Sequence, residues 1–224
     1  MKKFLVLAVA AIGFTANESA MANLVTNGSF ETFTGTFGSD GGAQLTSSST
    51  ALTGWTIEGG EVAVLTTPNS YNLTAADGVN FMDLTGYSNS GFPKGLTQNL
   101  SGLITGQTYA FSMELGVRNG PCVSSGNNCQ GPVQASAGIG GTSQTFTYNS
   151  SVLGNNWGTV GFNFVATSAT EALTINGQSV PASNEFLGLD NVSVTPAAVP
   201  LPAAGWLLLS GLSGLGLMKR RKAS

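Results

Sequence analysis

The sequence predicts an all-β protein, an antiparallel β-sandwich, on three observations. Short segments rich in Val, Thr, Phe and Tyr recur between turns of Gly, Asn, Ser and Pro. No stretch of the central chain sustains a helical period. In TYAFSMELGV, Tyr109, Phe111, Met113, Leu115 and Val117 alternate with Ala110, Ser112, Glu114 and Gly116, so one face is buried and the other looks outward.

Taken in order, the expected strands are LVTNGSF, LTGWTIEG, EVAVLTT, VNFMDLTG, LTQNLSG, QTYAFSMELGV, VQASAGIGG, SQTFTYNS, WGTVGFNFVAT, EALTING and FLGLDNVSVTP. Val160, Phe162 and Phe164 fall on one side of their segment. The turn around Ser168 and Ala169, followed by a second run ending at Asn176-Gly177, reads as a hairpin. The Gly/Ser/Thr stretch from Thr34 to Thr50 reads as a long surface loop. No internal repeat of fixed period is present.

The two ends read as targeting segments. Lys2 and Lys3, the apolar run Phe4 to Phe14 and the small-x-small site Ala20-Met21-Ala22 have the layout of a secretory signal peptide over residues 1–22. Eleven apolar residues fall short of the about 20 that a membrane span needs. At the other end, Ala203 to Met218 is uncharged and mostly apolar, and Lys219-Arg220-Arg221-Lys222 follows at once. A single hydrophobic helix there is just long enough to span, with Gly and Ser diluting the leucines. The basic block should stay cytoplasmic under the positive-inside rule. The chain thus divides into residues 1–22, a β-sandwich domain over 23–196 and a tail over 197–224.

The order Val199-Pro200-Leu201-Pro202, then Trp206-Leu207-Leu208-Leu209-Ser210-Gly211-Leu212 and the terminal Lys219, Arg220, Arg221 and Lys222, resembles the PEP-CTERM sorting tail of Gram-negative bacteria. Pro-Leu-Pro stands where the name-giving form has Pro-Glu-Pro. The resemblance implies processing by an exosortase, a membrane-embedded enzyme. An inner-membrane intermediate would precede delivery to the cell surface or extracellular matrix. An ordinary single-span anchor is the alternative.

Composition narrows the partners. Six of the eight basic residues lie in the ends, so the body keeps Lys94 and Arg118 against ten acidic residues, a net charge of −8 where the whole chain has −3. Such a surface repels phosphate backbones, which disfavours nucleic acid and suits neutral sugars, divalent cations or basic partners. Cys122 and Cys129, exported together and close in sequence, are expected to form a disulfide worth roughly 2–3 kcal/mol in the chain-entropy model. Two cysteines without any histidine leave a zinc ion short of ligands.

A second resemblance runs through the body. Asn27-Gly28-Ser29-Phe30-Glu31, Gly54-Trp55, Gly106-Gln107-Thr108-Tyr109 and the closing Leu189-Asp190-Asn191-Val192 are similar to galactose-binding-like jelly rolls, which include carbohydrate-binding modules. That family implies a jelly-roll sandwich with its first and last strands adjacent. It also implies a structural calcium ion (Ca2+) held by Glu31 and Asp190, since calcium takes six to eight oxygens. The alternative is that both carboxylates cap strand ends or accept backbone N–H bonds.

Sugar binding needs aromatic faces among polar groups. Tyr71, Tyr87 and Phe92 lie in the polar segments PNSYNLTAADG and TGYSNSGFPKG and are the candidates, whereas Trp55 and Trp157 sit on strand-like segments and read as core. Catalysis has little support, because histidine is absent and no nucleophile elbow or phosphate loop is present. The carboxylate pairs Glu58 with Glu61 and Asp77 with Asp83 read as turn residues rather than a glycosidase pair. The sequence therefore points to an exported, non-enzymatic surface or matrix protein whose sandwich contacts extracellular polysaccharide. A non-binding structural component of the matrix is the alternative.

Overall fold

The computed structural model describes residues 22–87, 93–119, 132–150, 152–179 and 186–197. The signal segment, both cysteines, Phe92 and the sorting tail from Val199 to Lys222 lie outside these. No helix among the described residues is long and apolar enough to cross a membrane.

The described residues form eleven strands: β1 (Gly42–Leu45), β2 (Thr56–Glu58), β3 (Val62–Thr66), β4 (Asn80–Asp83), β5 (Lys94–Ser101), β6 (Thr108–Asn119), β7 (Val133–Ile139), β8 (Thr142–Tyr148), β9 (Gly154–Val165), β10 (Thr170–Ser179) and β11 (Gly188–Pro196). They build two antiparallel sheets, one of six strands in the order β1-β3-β4-β11-β6-β9 and one of five in the order β2-β5-β10-β7-β8. From β4 onward the chain passes repeatedly from one sheet to the other, which is jelly-roll winding.

Period-two alternation sets the core. In β6, Tyr109, Phe111, Met113, Leu115 and Val117 are buried, and they face Val133, Ala135, Ala137 and Ile139 of β7 and Leu173 and Ile175 of β10 in one apolar cluster. Burying each such large side chain contributes about 1.5–3 kcal/mol. A second cluster lies on the outer face of the six-stranded sheet, where Leu65, Leu73, Phe81 and Phe186 gather with half-buried Tyr71, Ala75 and Trp157. Glycine makes this outer cluster possible: a Cβ at Gly116 would lie 2.8 Å from the Trp157 ring, and one at Gly188 would lie 2.5 Å from Phe186.

Three expectations are corrected. Residues 24–30 form a turn rather than a strand, because Asn27 and Phe30 take positive φ (56° and 59°) and the Asn27 side chain bonds Thr32 and Thr53. The turn still docks on the last strand, with Leu24 N donating to Val194 O (2.9 Å) and Val192 N to Gly28 O (3.0 Å). β9 and β10 are no hairpin. They belong to different sheets, and the Glu171 carboxylate holds the crossing by accepting from Thr167 N (2.6 Å), Thr167 Oγ1 (2.8 Å) and Ser168 N (3.2 Å). The expected loop from Thr34 to Thr50 contains β1, whose Ala43 and Leu45 are buried.

Candidate functional site

The loop between β3 and β4 crosses the outer face of the six-stranded sheet and carries Tyr71. Asn69 shapes it, donating through Nδ2 to Thr66 O and Leu73 O (both 2.8 Å) and accepting at Oδ1 from Tyr71 N and Leu73 N (both 3.1 Å). Leu73 and Tyr71 then pack into the outer apolar cluster. Tyr87 follows β4 just after Gly86, which takes a positive φ of 62°.

The two tyrosines converge. Tyr71 donates its hydroxyl to Asp40 Oδ2 (2.6 Å) and Tyr87 donates to the same oxygen (3.0 Å), while Asp40 Oδ1 accepts from Gly42 N (3.1 Å). Gly42 leaves room for the Tyr87 hydroxyl, which a side chain there would displace. Tyr71 is half-buried and Tyr87 is 49% exposed. The Tyr71 hydroxyl bond holds the Asp40 carboxyl below its ordinary value, with Gly42 N and Tyr87 adding to this against partial burial. Burial, then the hydrogen bond and charge of Asp40, raise Tyr71 above the usual phenol value and push Tyr87 up to about 12. The result is a neutral phenol pair on a firmly ionised carboxylate, beside an open ring, at the β1 side of the sheet. Such a group can stack on an apolar sugar face and accept from a hydroxyl.

Glu31 and Asp190 hold the same loop from its other end. Glu31 Oε1 accepts from Val79 N and Asn80 N (both 2.8 Å). Asp190 Oδ2 accepts from Ala76 N (2.8 Å) and Asp77 N (2.9 Å), and its Oδ1 from Asn191 N (2.7 Å). Five N–H groups thus face three of the four carboxylate oxygens, a donor set that opposes a cation at those oxygens. No group of three or more metal-ligating side chains occurs among the described residues. Burial pushes Asp190 up to about 7 against the pull of its three N–H bonds, with the nearby Asp77 charge adding to the rise.

The carboxylate pairs do not meet in a cleft. Asp77 is exposed before β4 and accepts from Ser29 Oγ (2.6 Å), whereas Asp83 ends β4, fully enclosed, accepting from Thr85 N (2.9 Å), Thr85 Oγ1 (2.7 Å) and Leu187 N (3.3 Å). Glu58 is exposed on β2, and Glu61 approaches the buried Lys94 Nζ at 4.0 Å. Trp55 is core, 5% exposed, with Nε1 donating to Asn27 O (3.0 Å). Trp157 belongs to the outer cluster instead, donating to Thr74 O (2.9 Å). A shallow polar hollow of about 320 Å³ lies on the five-stranded sheet, lined by Thr26, Gly54, Thr56, Thr97, Gln98 and Asn99.

Asp40 is the site residue that sequence reasoning missed. Its one sequence signal is Asp-Gly-Gly, a generic turn pattern inside a stretch that reads as loop.

A family model described as "Protein of unknown function (DUF642)" matches residues 23–195, the whole of the sandwich. The chain belongs to the DUF642 family. Halomucin of Haloquadratum walsbyi (strain DSM 16790 / HBSQ001) is 30% identical over 203 residues, covering 89% of this chain and 2% of halomucin. This DUF642 chain therefore spans a small fraction of that relative's length. Among solved structures, the arabinose-bound α-L-arabinofuranosidase MgGH51 is 14% identical with a TM-score of 0.47, covering 80% of this chain and 27% of that one. The C-terminal family 22 carbohydrate binding module of Clostridium thermocellum Xyn10B is 13% identical with a TM-score of 0.41, covering 74% and 99%. CBM35 from Paenibacillus barcinonensis is 14% identical with a TM-score of 0.40, covering 69% and 99%. At TM-scores below 0.5 these likenesses are too loose to bring a ligand or an activity to this chain.

Proposed function

We propose that this DUF642 domain is a saccharide-contacting module that meets polysaccharide at Tyr71, Tyr87 and Asp40. The observation that carries this is the convergence of two tyrosine hydroxyls on one carboxylate oxygen, with the Tyr87 ring left 49% exposed beside it. A ring held by its hydroxyl presents its face at low entropic cost, and Asp40 supplies the hydrogen-bond acceptor a sugar hydroxyl needs. Phe92, five residues after Tyr87 in the sequence, is carried in the same proposal as a further aromatic contact. The module reads as a binding protein rather than an enzyme.

The sorting route belongs to the same proposal: export through residues 1–22, an inner-membrane intermediate held by the tail, exosortase processing, and residence at the cell surface or in the extracellular matrix. The end sequences support it. Alanine at Pro200 and Pro202 should block processing, and an unchanged mature mass in the native host would count against the route. Glu31 and Asp190 we read as clamps on the loop that carries Tyr71. A calcium ion there would have to use Glu31 Oε2 and the free side of Asp77, so a chelator should leave the melting midpoint unchanged. A drop on chelation would restore the calcium reading.

The decisive experiment is a glycan and matrix-polysaccharide screen on the full chain, with Tyr87→Ala, Tyr71→Ala and Asp40→Ala alongside. Loss of one stacked ring removes roughly 1.5 kcal/mol, about tenfold in affinity. Binding that survives all three substitutions would remove the site from consideration. A folded protein that captures no glycan would favour the structural matrix component.

A further inference from the structure

The sandwich has two sides where sheet edges are exposed, and they are built differently. On one side the edges are β1, four residues long and preceded by Asp40, and β2, three residues long, carrying Glu58 and followed by Gly59 and Gly60 at positive φ. Short strands, a charge on the edge and an abrupt glycine turn are the devices by which natural sheets block pairing with another chain.

The other side has none of these. Its edges are β8, seven residues, and β9, twelve residues, and no strand among the described residues pairs with the outer edge of either. Thr142 to Val165 contains no charged residue and no proline, and the uncharged run extends from Asn119 to Thr170 in a body that otherwise carries −8. Between the two edges the core is left half open: Tyr148, Val160 and Phe162 are only partly buried against it. β9 therefore presents a long unpaired backbone edge next to unfinished apolar packing.

We propose that β9 is a self-association edge, on which a second copy of this chain adds its own β9 antiparallel across a twofold axis, joining the two six-stranded sheets into one. The occupant follows from charge. Two bodies of −8 repel each other least along this side, where β8 and β9 carry no charge of their own and the Glu114 carboxylate of β6 is tied to Thr159 Oγ1 (2.6 Å). An antiparallel strand is complementary to itself, as a twofold interface requires. Two strands of this length exchange about ten hydrogen bonds, the number a standard interface carries, and the partner would also cover Val160 and Phe162. A twofold contact uses the same edge on both copies and so closes at the dimer, and the blocked β1 and β2 edges offer no further pairing site on the far side. This inference is independent of the saccharide reading.

The test is the mass of the full chain by sedimentation equilibrium, compared with the double variant Asn163→Lys, Val165→Lys, which places charges along the seam on exposed positions of β9. The expected result is twice the chain mass for the native protein and one chain mass for the variant, with matching circular dichroism. A native monomer, or a variant that remains dimeric, overturns the proposal. Hydrogen exchange on the native protein gives a second readout that needs no variant. The β9 amides should slow as protein concentration rises while those of β1 do not, and concentration-independent exchange of β9 would equally overturn it.

Discussion

Asp40 is the hinge of the proposed site, and removing its carboxylate tests the site's construction separately from any ligand. In the native protein its Oδ2 accepts from both Tyr71 and Tyr87, at 2.6 and 3.0 Å. A hydrogen bond to a charged acceptor contributes about 1.5–3 kcal/mol when shielded, and the half-open setting places these at the low end, about 1.5 kcal/mol for Tyr71 and about 1 for Tyr87. Burial makes the largest contribution to the rise of Tyr87 to about 12, with the hydrogen bond and charge of Asp40 adding to it, so removing Asp40 should lower Tyr87 only part of the way.

A double-mutant cycle isolates the bond: Tyr71→Phe should cost about 1.5 kcal/mol in the native background and close to nothing in Asp40→Ala, measured by urea unfolding. Ultraviolet titration of the four tyrosines provides the second assay. A tyrosine whose folded value is raised adds stability that is present below its unfolded value near 10 and is lost as pH rises through about 12. Between those limits the native protein should therefore carry fewer tyrosinates than Asp40→Ala. Identical titration curves, together with an additive cycle, would refute the shared-carboxylate geometry.

Gly116→Ala should cost about 1–3 kcal/mol and change Trp157 fluorescence, because its new methyl would press into the indole; an unshifted spectrum would contradict the close approach of the ring to the sheet. Lys94, 2% exposed, donates to Thr85 O (2.7 Å) beside Glu61 and Asp83. Lys94→Met should therefore destabilise by about 3–5 kcal/mol in chemical unfolding, and a near-native midpoint would show that the buried charge is dispensable. For Asp190, folded near 7 against 3.8 unfolded, the stabilising contribution is present below pH 4 and is lost as pH rises through 7. Asp83, raised by burial to about 6, acts in the same direction. Stability should thus fall between about pH 4 and about pH 7, and Asp190→Asn should flatten that fall; parallel pH profiles for the two proteins would reject the assignment.

What the sequence disclosed follows from the reach of each signal. Period two is local, so the buried face of β6 from Tyr109 to Val117 was readable directly. Sheet membership is not local, and the run from Val160 to Asn176 looks like a hairpin from composition alone. Only the Glu171 carboxylate, gripping Thr167 and Ser168, shows the chain being turned across to the other sheet. β1 escaped notice because its four residues, GAQL, are too few to show a period. The tyrosines were legible as aromatics lacking a reason to be core. Asp40 was not, since its partners stand 31 and 47 positions away. Glu31 and Asp190 were found by position in a motif, but whether such carboxylates face a cation or N–H groups depends on where the loop from Ala76 to Asn80 lies, which the motif does not encode.

The two proposals combine into a mechanical consequence. Tyr71, Tyr87 and Asp40 sit beside β1, at one edge of the six-stranded sheet, and β9 is its other edge. A dimer joined through β9 therefore carries its two candidate sites at opposite ends of one continuous sheet, eleven strand spacings or roughly 50 Å apart. Both sites would lie too far apart to share one sugar and would instead grip separate chains, or separate stretches of one chain. Weak single contacts, each of one exposed ring and one carboxylate, would then gain strength from bivalency without any new contact. On this reasoning the lysine variant of β9 should keep the affinity of a single site for a short oligosaccharide yet lose retention on an immobilised polysaccharide. Equal retention of both proteins would show that the sites act alone.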